Sequence, residues 1–278
     1  MASKVKWTIE MRERVIKAIT NTLKVTREEA ESFIKKPPRV YSNSNETTGQ
    51  SAEHALCSLM NIHCSIAEDR IDAAISKKIQ GVLTPYIDET PLCDIESSIG
   101  FRNGAVDFQL KGGKTLSLKT LKRSDGKICP QNVGQSTLKK WDEHWGFYKE
   151  LEGKLEHNSK RFKYIKANLH HYLNVMLDNT FCCDYLLLLP NCHKTPSVEF
   201  LQKPPTTPFF VDQTLSFKEG REIYFERWDE KKQKYCEFSS TVYMGQGEEK
   251  KRVGEFQFHK GSRKEVKFRF YREFLTNY

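Results

Sequence analysis

Residues 106 to 120 constrain this chain more than any other stretch. Val106-Asp107-Phe108-Gln109-Leu110 and Thr115-Leu116-Ser117-Leu118-Lys119-Thr120 are short alternating runs separated by Lys111-Gly112-Gly113-Lys114. Alternation is the period of a half-buried strand, and Gly-Gly admits the positive φ of a tight turn, so the pattern predicts a hairpin. Successive strand residues face opposite ways, which puts Ser117 and Lys119 on one face and Leu116, Leu118 and Thr120 on the other. Folding back at the glycines brings Asp107 within reach of Lys119. A carboxylate and an ammonium then converge over one spot. Phosphodiester hydrolysis needs that combination: an acid to hold a divalent ion, which polarises the phosphate and acidifies a water, and a lysine to position the water or stabilise charge. Solvated Asp and Lys on a surface hairpin give the same pattern, so the pair alone does not decide between them.

The elements around this hairpin supply context. Residues 5 to 35 carry apolar positions at helical spacing (Val15, Ile16, Ile19, Leu23, Val25), and Thr26-Arg27-Glu28-Glu29 reads as the start of a second short helix. Lys36-Pro37-Pro38-Arg39 and the polar run 42 to 49 predict a loop. From Ser51, the positions Ala52, Ala55, Leu56, Leu59 and Met60 form one helical stripe, with Glu53 beside it. Residues 66 to 82 predict another helix, Pro85 to Pro91 a connector, and residues 136 to 178 a helical, charged region. Tyr185-Leu186-Leu187-Leu188-Leu189-Pro190 reads as a buried strand closed by proline. Prolines 196, 204, 205 and 208 mark a long connection, and the chain is β-rich after Ser216. This order predicts an α/β fold, a mixed central β-sheet flanked by helices, in a single domain over 1–278. Its parts are a helical N-terminal element (1–45), a core (46–190) and a β-rich part (191–278).

The hairpin and the helix before it resemble the PD-(D/E)XK nuclease superfamily. That pattern has an acid at the start of one strand, an acid-x-Lys on the next, and an acid on a preceding helix. Gly104-Ala105-Val106-Asp107 matches the first part, Ser117-Leu118-Lys119 the second, and Glu53 in Gly49-Gln50-Ser51-Ala52-Glu53-His54 the third. The departure is Ser117, a hydroxyl where the pattern has its second acid, and a poorer Mg²⁺ ligand than a carboxylate. The resemblance implies a PD-(D/E)XK-like core and Mg²⁺ as cofactor. The ion would be held by Asp107, the backbone carbonyl of Leu118, and Glu53 directly or through water. Asp94 and Glu96 are alternative acids that read as solvated. In the polar loop after the hairpin, the amides of Gln131 and Gln135 are candidates to contact phosphate or an active-site water.

Near the C-terminus, Val253-Gly254-Glu255-Phe256-Gln257-Phe258-His259 and Val266-Lys267-Phe268-Arg269-Phe270 resemble the C-terminal strand pair of several Type II restriction endonucleases. Alternation leaves Glu255, Gln257, His259, Lys267 and Arg269 on a polar face that either meets DNA or is solvated. On the first reading Gln suits adenine, Arg guanine and Lys phosphate, and His259 carries no catalytic role. The net charge of +9, from 45 Lys plus Arg against 36 Asp plus Glu, favours an anionic partner.

Composition excludes other classes. With 38% hydrophobic and 29% charged residues the chain reads as globular. The longest apolar run, 185 to 189, is far below the roughly 20 residues of a membrane span, and the first residues lack a secretory pattern, so an intracellular protein is expected. The eight cysteines have no zinc-ribbon spacing; Cys182, Cys183, Cys192 and His193 are the nearest approach to a metal set. His170 and His171 point about 100° apart on a helix, which disfavours joint ligation. Trp141 and Trp145 stay open as base-stacking residues. Together with the resemblance, these features lead to the expectation of a Type II restriction endonuclease: a homodimer on double-stranded DNA, without membrane or nucleotide cofactor. A structure-selective repair or resolvase nuclease and a non-catalytic DNA-binding protein remain alternatives.

Overall fold

The computed structural model describes residues 9–34, 45–100, 106–131, 133–204, 208–218, 226–229, 234–237, 239–258 and 265–277. Helix α1 (Ile9–Leu23) is followed by α2 (Arg27–Ile34). At the start of α2, Glu29 N donates to Thr26 Oγ1 at 3.2 Å and Thr26 N to Glu29 Oε2 at 2.8 Å. This reciprocal cap is what the Thr26-Arg27-Glu28-Glu29 run predicted. Helix α3 (Asn45–Leu59) begins earlier than expected: Asn45 to Gly49 are helical, and Thr47 and Thr48 are buried. The helix expected over 66 to 82 is two elements, a 3₁₀ turn Glu68–Arg70 and α4 (Ala73–Leu83). Asp72 separates them, because its side chain caps α4 by accepting from Ala74 N and Ile75 N.

The chain then forms β1 (Ile95–Ser98), β2 (Phe108–Leu110) and β3 (Thr115–Thr120), followed by the short strands β4 (Lys127–Ile128) and β5 (Gln135–Thr137). Next are α5 (Leu138–His144), α6 (Tyr148–Leu151), α7 (Asn158–Ala167) and α8 (Leu169–Thr180), then β6 (Tyr185–Leu189) and β7 (Glu199–Leu201). The last elements are β8 (Leu215–Phe217), β9 (Glu226–Asp229), β10 (Lys234–Glu237), β11 (Ser239–Met244), β12 (Lys251–Phe258), β13 (Glu265–Tyr271) and α9 (Arg272–Thr276). Among the described residues, no helix is long and apolar enough to cross a membrane.

The expected hairpin is present. Phe108 pairs with Leu116 and Gln109 with Thr115, around Gly112 at φ 70° and Gly113 at φ 77°. These are left-handed conformations that cost glycine nothing. The α/β class is as expected, but there are two main sheets where a single central one was read. The first has the order β1-β2-β3-β6-β7 and is mixed, with β3 parallel to β6 and its other pairs antiparallel. The second has the order β4-β13-β12-β11-β8, with β5 also paired to β13. Its strands β4 and β5 come from inside the 46–190 segment and the others from the 191–278 segment.

The leucines of β6 alternate between two cores. Leu187 and Leu189 join Leu116, Leu118 and the apolar faces of α3 and α4. Leu186 and Leu188 join α7, α8 and the inner face of the second sheet, through Phe162, Leu173, Met176, Phe256 and Phe268. A strand buried on both faces has no polar position to spare, hence the unbroken leucine run. Each such leucine contributes roughly 1.5–3 kcal/mol of burial. Trp141 is buried, its ring 6.0 Å from that of Trp145 and 6.1 Å from that of Tyr164. Base stacking by Trp141 is therefore corrected to core packing.

Candidate active site

Asp107 sits at the mouth of the hairpin, between β1 and β3. Its amide donates to Leu116 O at 3.0 Å, and its carbonyl accepts from Ile99 N at 2.9 Å and Gly100 N at 3.1 Å. These bonds fix the backbone, and two more fix the side chain. Oδ2 accepts from Ser117 Oγ at 3.0 Å and from Leu118 N at 2.6 Å. One carboxylate oxygen is thus tied to β3, which leaves Oδ1 to face Gly100. A β-carbon built on Gly100 would lie 3.4 Å from Asp107 Oδ1 and 3.5 Å from Glu53 Oε2. Glycine here keeps open the space between the two acids.

Glu53 reaches that space from α3, which packs on β3. Burial and the Asp107 charge push its carboxyl from its usual value near 4.5 up to about 7, and Lys119 and Arg70 only partly offset them. Lys119 lies two residues beyond Ser117 on the same face of β3, opposite Leu188 of β6. Arg70 projects from the 3₁₀ turn and forms an ion pair with Glu46 of α3. The site therefore holds two acids and two cations in a partly desolvated corner. Sequence reasoning missed Arg70 and Gly100. Arg70 stands in a polar run without periodicity, and Gly100 belongs to no turn motif.

The remaining predicted positions fall elsewhere. Ser117 is fully buried and serves Asp107 as a donor. Leu118 meets Asp107 through its amide. Asp94 pairs with Lys111 at 3.7 Å, and Glu96 is exposed on β1. Gln131 is half-buried, its backbone N–H donating to Asn179 O at 3.2 Å. Gln135 is on β5 in the second sheet, opposite Lys267, which is itself opposite Gln257. It is grouped with the polar C-terminal strands, apart from the sheet that carries Asp107. Arg269 lies in that group, opposite Glu255. His259 and the Gly104-Ala105 part of the motif lie outside the described residues.

Two hard carboxylates with a hydroxyl and an amide behind them match the oxygen ligands and partial hydration that Mg²⁺ prefers. Among the described residues, no group of three or more His, Cys, Asp or Glu side chains is placed to hold a metal. Any ion between Asp107 and Glu53 would therefore complete its shell with water, backbone or substrate oxygens. His193, from the cysteine-rich region, instead shares a hydrogen bond with Thr48 at 3.0 Å.

No protein-family model matches the chain, and no solved structure does. Over 167 residues, 60% of the chain, the sequence is 29% identical to the Type II restriction enzyme CviAII of Paramecium bursaria Chlorella virus 1. The matched stretch spans 42% of that enzyme's length.

Proposed function

We propose that this chain is an intracellular, Mg²⁺-dependent, sequence-specific endonuclease of double-stranded DNA, with a PD-(D/E)XK-type site and a homodimeric assembly. The observation that carries the reading is the convergence of Asp107 Oδ1 and Glu53 Oε2 on the open space at Gly100, with Lys119 alongside. Similarity to a Type II restriction enzyme and the net charge of +9 support the substrate.

Asp107 and Glu53 would hold the ion. When bound, it neutralises charge on the scissile phosphate and lowers the pKa of a water. The chain's own residues do the rest. Ser117 and the Leu118 amide keep Asp107 turned toward the ion's position, so no reorientation is needed when substrate arrives. Lys119 supplies a donor and a positive charge for the attacking water or the phosphate oxygens. Arg70 adds a second cation at the edge of the site. With its carboxyl raised to about 7, Glu53 would have to give up a proton at slightly acidic pH to hold such an ion. The polar face of the second sheet, with Gln135, Gln257, Lys267 and Arg269, is assigned to the duplex. Gln131 precedes it in the loop before β5.

The test is digestion of a sequenced viral genome with Mg²⁺, followed by mapping of fragment ends. Discrete ends sharing a short sequence are expected, with Asp107→Ala and Lys119→Ala inactive but still able to bind DNA. Absence of cleavage, or full turnover by Asp107→Ala, overturns the assignment. Sedimentation of the protein with and without a cleaved duplex tests the homodimer.

A further inference from the structure

Glu255 is out of place on a solvated face. It lies on the polar side of β12, yet it is only 8% exposed. Its two oxygens hold two different cations: Oε2 accepts from Lys127 Nζ at 2.8 Å and Oε1 from Arg269 Nη2 at 3.0 Å. The same Nη2 donates to Gln257 Oε1 at 3.2 Å. Arg269 Nε is buried without a partner. The guanidinium is thus fixed by two anchors on the neighbouring strand. Lys127 is fixed as well, with its ammonium 4.8 Å over the Tyr271 ring and Arg252 at 4.7 Å over the same ring.

These contacts alter what the face offers a ligand. The Gln257 oxygen accepts from Arg269, which ties the glutamine and the arginine into one unit. Lys267, beside it on β13, is also a donor. In the major groove arginine's usual target is guanine, whereas a glutamine amide suits adenine. A guanine offers two adjacent acceptors, N7 and O6, in the major groove.

We propose that Glu255 and Gln257 are positioning residues that hold Arg269, and that the arginine so held reads a guanine in duplex DNA. The inference rests on assigning the second sheet's polar face to DNA. An arginine already fixed in the free protein loses little rotamer freedom on binding, so more of the contact is expressed as discrimination. Glu255 also withholds part of the positive charge. Its presence weakens attraction to any phosphate backbone while sharpening the choice of base.

The experiment is selection from duplexes with a randomised core, bound by the full chain with Ca²⁺ replacing Mg²⁺ and read by sequencing at two salt concentrations. The bound pool should be enriched in G·C at one or more positions. Arg269→Ala should lower the preference at one of them by about 5- to 150-fold, the range of a good base contact. Glu255→Gln should lose preference at the same position, while affinity for the unselected pool and its salt dependence rise. Glu255→Asp should restore part of the preference. If Glu255→Gln fails to unfold cooperatively, Gln257→Leu removes the second anchor without touching a buried charge and should weaken the same position. Unchanged preferences in Arg269→Ala would overturn the assignment of this face to DNA. A loss in Arg269→Ala with none in Glu255→Gln or Gln257→Leu would overturn the positioning role alone, and a lost A·T preference would overturn the guanine reading.

Discussion

Ser117 donates its hydroxyl to Asp107 Oδ2 at 3.0 Å, from a fully buried position on the neighbouring strand. The residue in the place of the motif's second acid thus acts on the first acid. Loss of this bond should let Asp107 turn, with the Leu118 amide left as its remaining anchor. Ser117→Ala is therefore expected to reduce Mg²⁺-dependent cleavage by about 10- to 100-fold, as for other groups that orient a ligand. Ser117→Asp should do worse, because it buries a second carboxylate against Asp107. Cleavage rates over a Mg²⁺ titration check this. Full activity in Ser117→Ala would make the hydroxyl incidental.

Glu53 makes the ion-free protein sensitive to pH in a direction that can be worked out. Its carboxyl is near 4.5 when unfolded and about 7 in the fold, so the native state keeps a proton that the unfolded chain has lost. Stability should be fully present below about 4.5, fall as pH rises toward 7, and then level, a loss on the order of 3 kcal/mol. Urea unfolding in EDTA across pH 4 to 8 measures it, and Glu53→Gln should flatten the profile. Ion affinity should run the opposite way, rising about tenfold per pH unit below 7 because one proton leaves. A flat profile in the parent protein would place Glu53 in solvent.

The hairpin was legible because two signals agreed, strand alternation and a Gly-Gly turn, and the stripe beside Glu53 was legible for the same kind of reason. The second sheet was not. β4 and β5 are two and three residues long, too short for any period, and they are strands only because β13 offers its edge. That also explains Gln135, which the sequence left in a loop near the hairpin and which the fold sets beside Lys267. The alternation of β12 and β13 correctly separated the buried phenylalanines from the polar side. It could not say that Glu255 would be covered by Lys127, which lies 128 residues earlier in the chain.

Gly100 is required for space and not for its backbone conformation. A methyl group there would stand between the Asp107 and Glu53 oxygens, at 3.4 and 3.5 Å, and 3.3 Å from the Asp107 Cα, a contact that the backbone must relieve by a few tenths of an ångström. Gly100→Ala is thus expected to fold with a slightly lowered unfolding midpoint, but to need at least about tenfold more Mg²⁺ for half-maximal cleavage. An unaltered Mg²⁺ requirement would move the ion away from this gap.

The last prediction concerns the scaffold under the second sheet. Asp142 on α5 and Arg161 on α7 form a bidentate pair at 2.6 and 2.7 Å, both side chains fully buried. The pair has further partners. Asp142 Oδ2 accepts from Gly153 N at 2.8 Å, and Arg161 Nη1 donates to Lys154 O at 2.7 Å and Asn158 Oδ1 at 2.9 Å. Removing either partner strands a charge in the core, so Asp142→Leu and Arg161→Met should each cost roughly 3–5 kcal/mol. The double variant buries no charge and should lose clearly less than the sum of the two. Because α5 leads directly out of β5, loosening this tie should also increase hydrogen exchange at Gln135 to Thr137. Urea midpoints for the cycle and exchange at those amides decide the matter. Additive losses would mean that the two side chains do not act as a unit.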